Sequence, residues 1–130
     1  MIEEGRALFL QIAESVEDSI IDGSLPAAGR APSTNELAAF YRINPATAAK
    51  GVAMLVDKGV IYKRRGIGMF VAPGARDRLL AERRAAFADR YVEPLLAEAR
   101  KLGLGAEELT DLIRDRAQAP AAATPEGIAR

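Results

Sequence analysis

The chain of 130 residues contains no cysteine and no histidine. Without cysteine there is no disulfide framework, no thiolate zinc site and no cysteine nucleophile. Without histidine there is no imidazole metal ligand and no Ser-His-Asp triad. Long apolar runs are missing as well: none approaches the roughly 20 residues that a bilayer span needs. Met1-Ile2-Glu3-Glu4 lacks the basic start and apolar stretch of a signal peptide. Net charge is also lacking, because 18 basic and 18 acidic residues cancel. These absences lead to the expectation of a cytoplasmic protein with no membrane association, no metal, no cofactor and no covalent chemistry. Apolar residues make up 49%, enough to build a core. The chain shows no internal repeats.

The zero net charge hides an uneven distribution. Residues 1–29 hold one base and six acids, a net of −5. Residues 30–76 hold eight bases (Arg30, Arg42, Lys50, Lys58, Lys63, Arg64, Arg65 and Arg76) against Glu36 and Asp57, a net of +6. Residues 77–130 hold nine bases and ten acids, a net of −1. A positive middle of this kind is the electrostatic footprint of a protein that binds a polyanion. A solvated surface with clustered bases accounts for it equally well.

From about Glu4 to Asp22, Phe9, Ile12, Ala13, Val16 and Ile20 recur at helical spacing. Glu14, Glu17 and Asp18 lie between them, which predicts an amphipathic helix with those acids on its solvated face. Gly23 stops it, and Leu25-Pro26-Ala27-Ala28-Gly29 continues as a turn. Ser33 and Glu36 then form the S-x-x-E pattern of a capping box and start a short helix over Leu37, Ala38 and Phe40. Tyr41-Arg42-Ile43 breaks it, and Asn44-Pro45 restarts the chain with an N-cap and a first-turn proline. That third helix runs to Lys58-Gly59. Val60-Ile61-Tyr62-Lys63 and Met69-Phe70-Val71 read as paired strands around the glycine turn Arg64-Arg65-Gly66-Ile67-Gly68. Beyond Pro73, a helical pattern from Asp77 to about Lys101 carries a stripe of Leu80, Phe87, Tyr91, Leu95 and Leu102. Pro94 lies inside it, and a kink is expected there, with Glu93 disfavoured in α geometry. A last helix is predicted over about 106–118, with Leu109, Leu112 and Ile113 as its apolar face.

Two short helices joined by a tight turn, followed by a basic glycine hairpin, are the parts of a winged helix-turn-helix. In that arrangement the second helix of the motif lies in the major groove of DNA. Asn44 and Pro45 start the recognition helix, and its free amides can meet a phosphate. Thr47, Ala49 and Lys50 lie on its first turns and can face the groove. Lys63, Arg64 and Arg65 supply charge for phosphates, while Gly66 and Gly68 let backbone approach backbone. Each feature also has a plain structural reading: a capping box starts a helix, Asn-Pro caps one, and Lys-Arg-Arg decorates a hairpin. Their order and spacing favour the joint reading.

Residues 8–71 resemble the DNA-binding domain of GntR-family bacterial transcription regulators. The resemblance lies in Gln11-Ile12, Pro32-Ser33-x-x-Glu36-Leu37-Ala38, Asn44-Pro45-Ala46-Thr47, Leu55-x-x-x-Gly59-Val60-Ile61 and the wing from Arg64 to Val71. The shorter remainder resembles the YtrA-like subfamily, whose two-helix region dimerises in place of a large ligand domain. The resemblance implies DNA contacts at Ser33, Thr34, Asn44, Ala46, Thr47, Ala49, Lys50, Arg65 and Gly66. It also implies departures. Asn35 stands where the family usually has a DNA-touching arginine, Ala31 replaces a common leucine, and Pro45 and Ala49 replace residues that are polar or basic in many relatives. Base reading is then expected to lean on Asn44, Thr47 and Lys50.

The expected fold class is α+β: a winged helix-turn-helix of three helices plus a β-hairpin, followed by a short two-helix dimerisation region. The expected bounds are 1–74 for the winged helix, 75–118 for the helical region and 119–130 for a disordered tail. The expected function is sequence-specific binding of a palindromic double-stranded DNA operator by a homodimeric regulator, a repressor, with Leu80, Phe87, Tyr91 and Leu95 at the dimer seam. The effector, if any, is unspecified. One alternative is a helical interaction module that uses the basic hairpin to bind protein. An enzyme is disfavoured, since Glu14, Glu17 and Asp18 imply no cleft.

Overall fold

The structure, a computed structural model, describes residues 6–120. Helix α1 (Leu8–Ile21) is followed by strand β1 (Arg30–Ala31), helices α2 (Thr34–Tyr41) and α3 (Pro45–Asp57), and strands β2 (Ile61–Arg64) and β3 (Gly68–Val71). Helix α4 (Ala75–Phe87), a π-helical segment (Ala88–Val92) and helices α5 (Glu93–Lys101) and α6 (Ala106–Gln118) complete the chain. The chain divides into two compact units, residues 1–84 and 85–130. Among the described residues no helix is long and apolar enough to cross a membrane.

The first unit is an α+β winged helix. Ile12, Ala13, Val16 and Ile20 of α1 meet Leu37 and Ala38 of α2, Ala48, Val52 and Leu55 of α3, and Ile61 and Val71 of the sheet in one buried cluster. Helices α1 and α3 approach closely at Gly51: a Cβ there would lie 2.9 Å from the Phe9 carbonyl oxygen. Ala75 and Leu79 of α4 belong to the same core, so this unit continues ten residues past the boundary expected at 74. Leu79, a step off the expected stripe, is the α4 leucine that is fully buried, while Leu80 is half-buried.

Several sequence expectations are corrected here. The expected start of the first helix near Glu4 falls outside the described residues, and α1 begins at Leu8. The sheet has three strands in the order β1-β3-β2, all antiparallel, where a two-stranded hairpin was expected. Strand β1 pairs Arg30 with Phe70 and Ala31 with Met69. The amide of Val71 also donates to the Gly29 carbonyl at 2.9 Å. Two residues are too few for any periodicity to reveal. Glu17 is not on a solvated face: it is 6% exposed and lies between cations.

The second unit is helical and has little interior of its own. Among its described residues only Ala99 and Leu109 are buried. Glu93, expected to be disfavoured in α geometry before Pro94, keeps it (φ −62°, ψ −47°). The backbone widens one turn earlier, where the Glu93 amide donates to the Ala88 carbonyl five residues back. A π segment makes room for a ring that has no amide to donate, so the helix continues. Gly103 (φ +73°) turns the chain into α6. Most of the tail expected at 119–130, from residue 121 on, lies outside the described residues.

Candidate nucleic-acid interface

The helix-turn-helix is built by its caps. The Ser33 hydroxyl accepts from the Glu36 amide at 3.0 Å, and the Glu36 carboxylate accepts from the Ser33 amide at 2.8 Å. Ser33, first through its backbone amide and second through its hydroxyl, holds the Glu36 carboxyl below its ordinary value. Helix α2 ends at Arg42, whose left-handed conformation (φ 57°, ψ 51°) turns the chain. The Ile43 amide returns to the Ala38 carbonyl at 3.0 Å, closing the turn. Asn44 then caps α3, its Oδ1 accepting from the Ala46 amide at 2.8 Å, with Pro45 in the first turn.

This geometry limits what each residue can do. The cap takes one of the two lone pairs of the Asn44 Oδ1 and fixes the direction of the amide, which leaves both Nδ2 donors open to a base or a phosphate. Pro45, Ala46, Ala49 and Lys50 are exposed on α3, and Thr47 is half-buried. Ser33 and Thr34 sit half-buried at the start of α2, with Asn35 exposed beside them. The Lys50 ammonium lies 4.1 Å from the centre of the Phe9 ring of α1.

The wing is the β2–β3 hairpin. Lys63 and Arg64 end β2, and Arg65, Gly66 and Ile67 form the exposed tip. The Ile67 amide donates to the Arg64 carbonyl at 2.9 Å, with Gly66 at φ +75° in the position where such a turn requires positive φ. The face of the sheet away from the core carries Tyr62, Arg64, Phe70 and Arg30. The Tyr62 and Phe70 rings lie 6.2 Å apart, and the Arg64 guanidinium sits 5.3 Å from the Phe70 ring. Arg30 extends along Gly68, where a Cβ would come within 3.0 Å of its Nε. Arg30 is therefore a wing cation, although along the chain it belongs to the basic block and to no site. Only the pairing of β1 with β3 brings it there.

The basic middle divides into structural and uncommitted charge. Lys58 is bound to Glu17 at 2.6 Å and to Glu82 at 3.1 Å. Burial pulls its pKa down, but the bonds to Glu17 and Glu82 outweigh this and raise it above the ordinary value. Arg76 donates to the Ile21 carbonyl. Among the described residues, Arg42, Lys50, Lys63, Arg64 and Arg65 form no ion pair. Two of these five cations lie on or beside the helix-turn-helix and three on the wing.

Of the four residues expected at a dimer seam, Phe87 (56%), Tyr91 (54%) and Leu95 (42%) are exposed. The rings of Phe87 and Tyr91 lie 5.6 Å apart. Leu102, Leu112 and Ile113 are exposed in the same unit.

Comparison with known proteins places this arrangement. The sequence profile of bacterial regulatory proteins, gntR family, matches residues 8–71. A GntR-family transcriptional regulator from Bacteroides thetaiotaomicron is 32% identical and superimposes with a TM-score of 0.68, covering 86% of this chain and 97% of its own. The helix-turn-helix transcriptional repressor YtrA of Bacillus subtilis is 25% identical over 108 residues, 83% of this chain and 82% of YtrA. The amino-terminal domain of AraR, solved in complex with a mutant operator, is 28% identical with a TM-score of 0.50, covering 54% of this chain and 100% of that domain.

Proposed function

The chain belongs to the gntR family of bacterial regulatory proteins and is a transcriptional regulator of that type, and we propose that it is a homodimeric repressor of a two-fold symmetric DNA operator. The observation that carries this reading is the capped α2–turn–α3 unit with five cations uncommitted to protein ion pairs on it and its wing. Helix α3 enters the major groove with Ala46, Thr47 and Ala49 toward the bases and Asn44 donating from its start. Ser33, Thr34 and Asn35, at the start of α2, meet the flanking backbone. The wing lays Lys63, Arg64, Arg65 and Gly66 along phosphates, with Arg30 beside them. The phosphate contacts then position the protein on any duplex, and the few base contacts select the operator.

A second copy covers Phe87, Tyr91 and Leu95 of the second unit. Among its described residues the second unit buries only Ala99 and Leu109, and exposed apolar surface of that kind marks a partner face. A two-fold partner sets two recognition helices about 34–36 Å apart, one turn of the duplex. The match to YtrA over most of its length supports a place in the YtrA-like subfamily and the repressor role. A regulator of this kind acts in the cytoplasm.

Selection of bound sequences from random duplex DNA tests the reading. A palindromic site should emerge, and a dimer making about 6–10 phosphate contacts should lose roughly 10³–10⁵ in affinity between 50 and 200 mM salt. Selection of no site, or an almost flat salt dependence, overturns it.

A further inference from the structure

We propose that Lys50 is a backbone-phosphate clamp held in place by the aromatic ring of Phe9, making Phe9 a positioning residue for DNA binding that reaches the duplex only through Lys50. The inference rests on the operator-binding reading and refines it, since the first turns of α3 otherwise suggest that Lys50 reads a base.

Three observations carry it. The first is the ion over the ring: the Lys50 ammonium is 4.1 Å from the Phe9 centroid, so one face of the ammonium is directed to α1. The second is the placement of Lys50 on α3. Its neighbour Gly51 packs against the Phe9 backbone, where a Cβ would sit 2.9 Å from the carbonyl oxygen. Lys50 thus leaves α3 on the same face as exposed Ala46, one turn earlier, and its side chain leans from there toward α1, where its ammonium rests on the Phe9 ring. The third is charge. Among the described residues no carboxylate pairs with Lys50, so its charge is uncommitted.

A lysine is a point charge with three donors and no preferred plane. With one side of the ammonium on the ring, its remaining N–H groups face solvent at the edge of the recognition helix. A helix lying in the major groove is bordered on either side by a phosphate backbone. Reaching a base edge would require the side chain to leave the ring, whereas a phosphate at that flank can be met from the observed position. Preordering of a long, flexible lysine is what Phe9 supplies: the side chain loses less freedom when the phosphate arrives.

The experiment compares Lys50→Ala, Phe9→Leu, Phe9→Tyr and the Phe9→Leu/Lys50→Ala double variant on the selected operator and on an unrelated duplex, across a salt series, with thermal melts to confirm folding. Lys50→Ala should lower affinity for both duplexes by a similar factor, about tenfold, and reduce the salt slope by about 1 per half-site. Phe9→Leu should lower both about threefold with the slope retained, because the charge remains, and Phe9→Tyr should bind as the unsubstituted protein does. In the Lys50→Ala background, Phe9→Leu should have no further effect. A Lys50→Ala protein that changes preference at one base pair while keeping its affinity for unrelated duplex would make Lys50 a base reader and overturn the clamp. A Phe9→Leu loss that persists without Lys50 would overturn the positioning role. Failure of the unsubstituted protein to bind any duplex would overturn the clamp and the regulator reading together.

Discussion

Replacement of Glu17 tests whether the charged cluster under α4 holds the winged helix together. The Glu17 side chain is 7% exposed and has two cations within reach: Lys58 Nζ at 2.6 Å and Arg83 Nη2 at 3.7 Å. Each cation keeps a second partner, Glu82 for Lys58 at 3.1 Å and Asp18 for Arg83 at 2.7 Å. Removing one member of a wholly buried ion pair costs about 3–5 kcal/mol, because the other is left charged in a poor solvent. Here both cations are about a third exposed, so water and the remaining carboxylates take up much of that penalty. We expect Glu17→Gln, which preserves shape and one acceptor oxygen, to destabilise the fold by about 1–3 kcal/mol. Thermal unfolding should report this as a fall of about 4–8 °C per kcal/mol for a unit of this size.

The pH dependence supplies a sign. Burial opposes the Lys58 charge, but Glu17 and Glu82 together raise its pKa above the ordinary 10.5. A raised lysine contributes stability that is fully present below 10.5 and is lost as pH climbs through the folded value. The deficit of Glu17→Gln should therefore hold steady from neutral pH to about 10 and shrink above it. Combining Glu17→Gln with Lys58→Met in a double-mutant cycle isolates the pair. A neutral or stabilising Glu17→Gln would refute the reasoning, since the network would then cost as much in desolvation as it returns.

Three further outcomes follow from the site and the second unit. Thr47→Ala should cost about 1–3 kcal/mol and relax preference at one base pair, whereas Arg65→Ala should weaken all sequences evenly; competition binding against single-base operator variants separates the two, and an Arg65 effect confined to one position would put the wing tip in a groove. Phe87→Asp should leave a folded winged helix but give a monomer in analytical ultracentrifugation, because an unpaired carboxylate at the proposed seam costs several kcal/mol; a variant that stays dimeric with full operator affinity would put the interface elsewhere. Ser33→Ala, which removes the α2 cap, should cost about 0.5–2 kcal/mol in urea unfolding. Its partner Glu36 has a lowered pKa, held first by the backbone amide of residue 33, which alanine keeps, so the carboxylate's contribution is present above the ordinary carboxyl value and fades as pH falls through the folded one; Glu36→Gln should flatten that part of the acid-unfolding profile, and an unchanged profile in Glu36→Gln would count against the carboxylate's part in the cap.

What could be read from the chain was local, and what could not was held together by distant pairing. Ser33, Glu36, Asn44 and Pro45 announce α2 and α3 because a cap is made within three residues, and those bonds form as expected. The hairpin was legible because Gly66 and Gly68 supply its positive-φ positions in sequence order. Strand β1 was not, since Arg30 and Ala31 are extended only by pairing with Phe70 and Met69, some forty residues on. The burial of Glu17 escapes its sequence for a related reason. Helical spacing puts it next to Val16 at the rim of the apolar face, and whether a rim acid is solvated depends on what packs above it. Here that is Lys58, 41 residues away, and Arg83. Pro94 signals a disturbance of the helix but not its form, which is a widening over Ala88–Val92.

The same pairings change the meaning of the charge blocks. Read along the chain, residues 1–29 are acidic and residues 30–76 basic, as if α1 should repel a polyanion that the middle attracts. In the fold, Glu17 is sealed between Lys58 and Arg83, Asp18 holds Arg83, and Arg6 pairs with Glu14. Much of the acidity of α1 is thus spent inside the protein, and one base of the middle block is spent with it. The charge left for a partner is concentrated at Arg42, Lys50 and the wing. Salt acts on both sets, but unequally: screening is severe for the exposed wing and weaker for a cluster with a buried carboxylate at its centre. DNA affinity should therefore collapse across a salt range in which the melting temperature of the winged helix barely moves, which separates the charges that hold the fold from those that face the duplex.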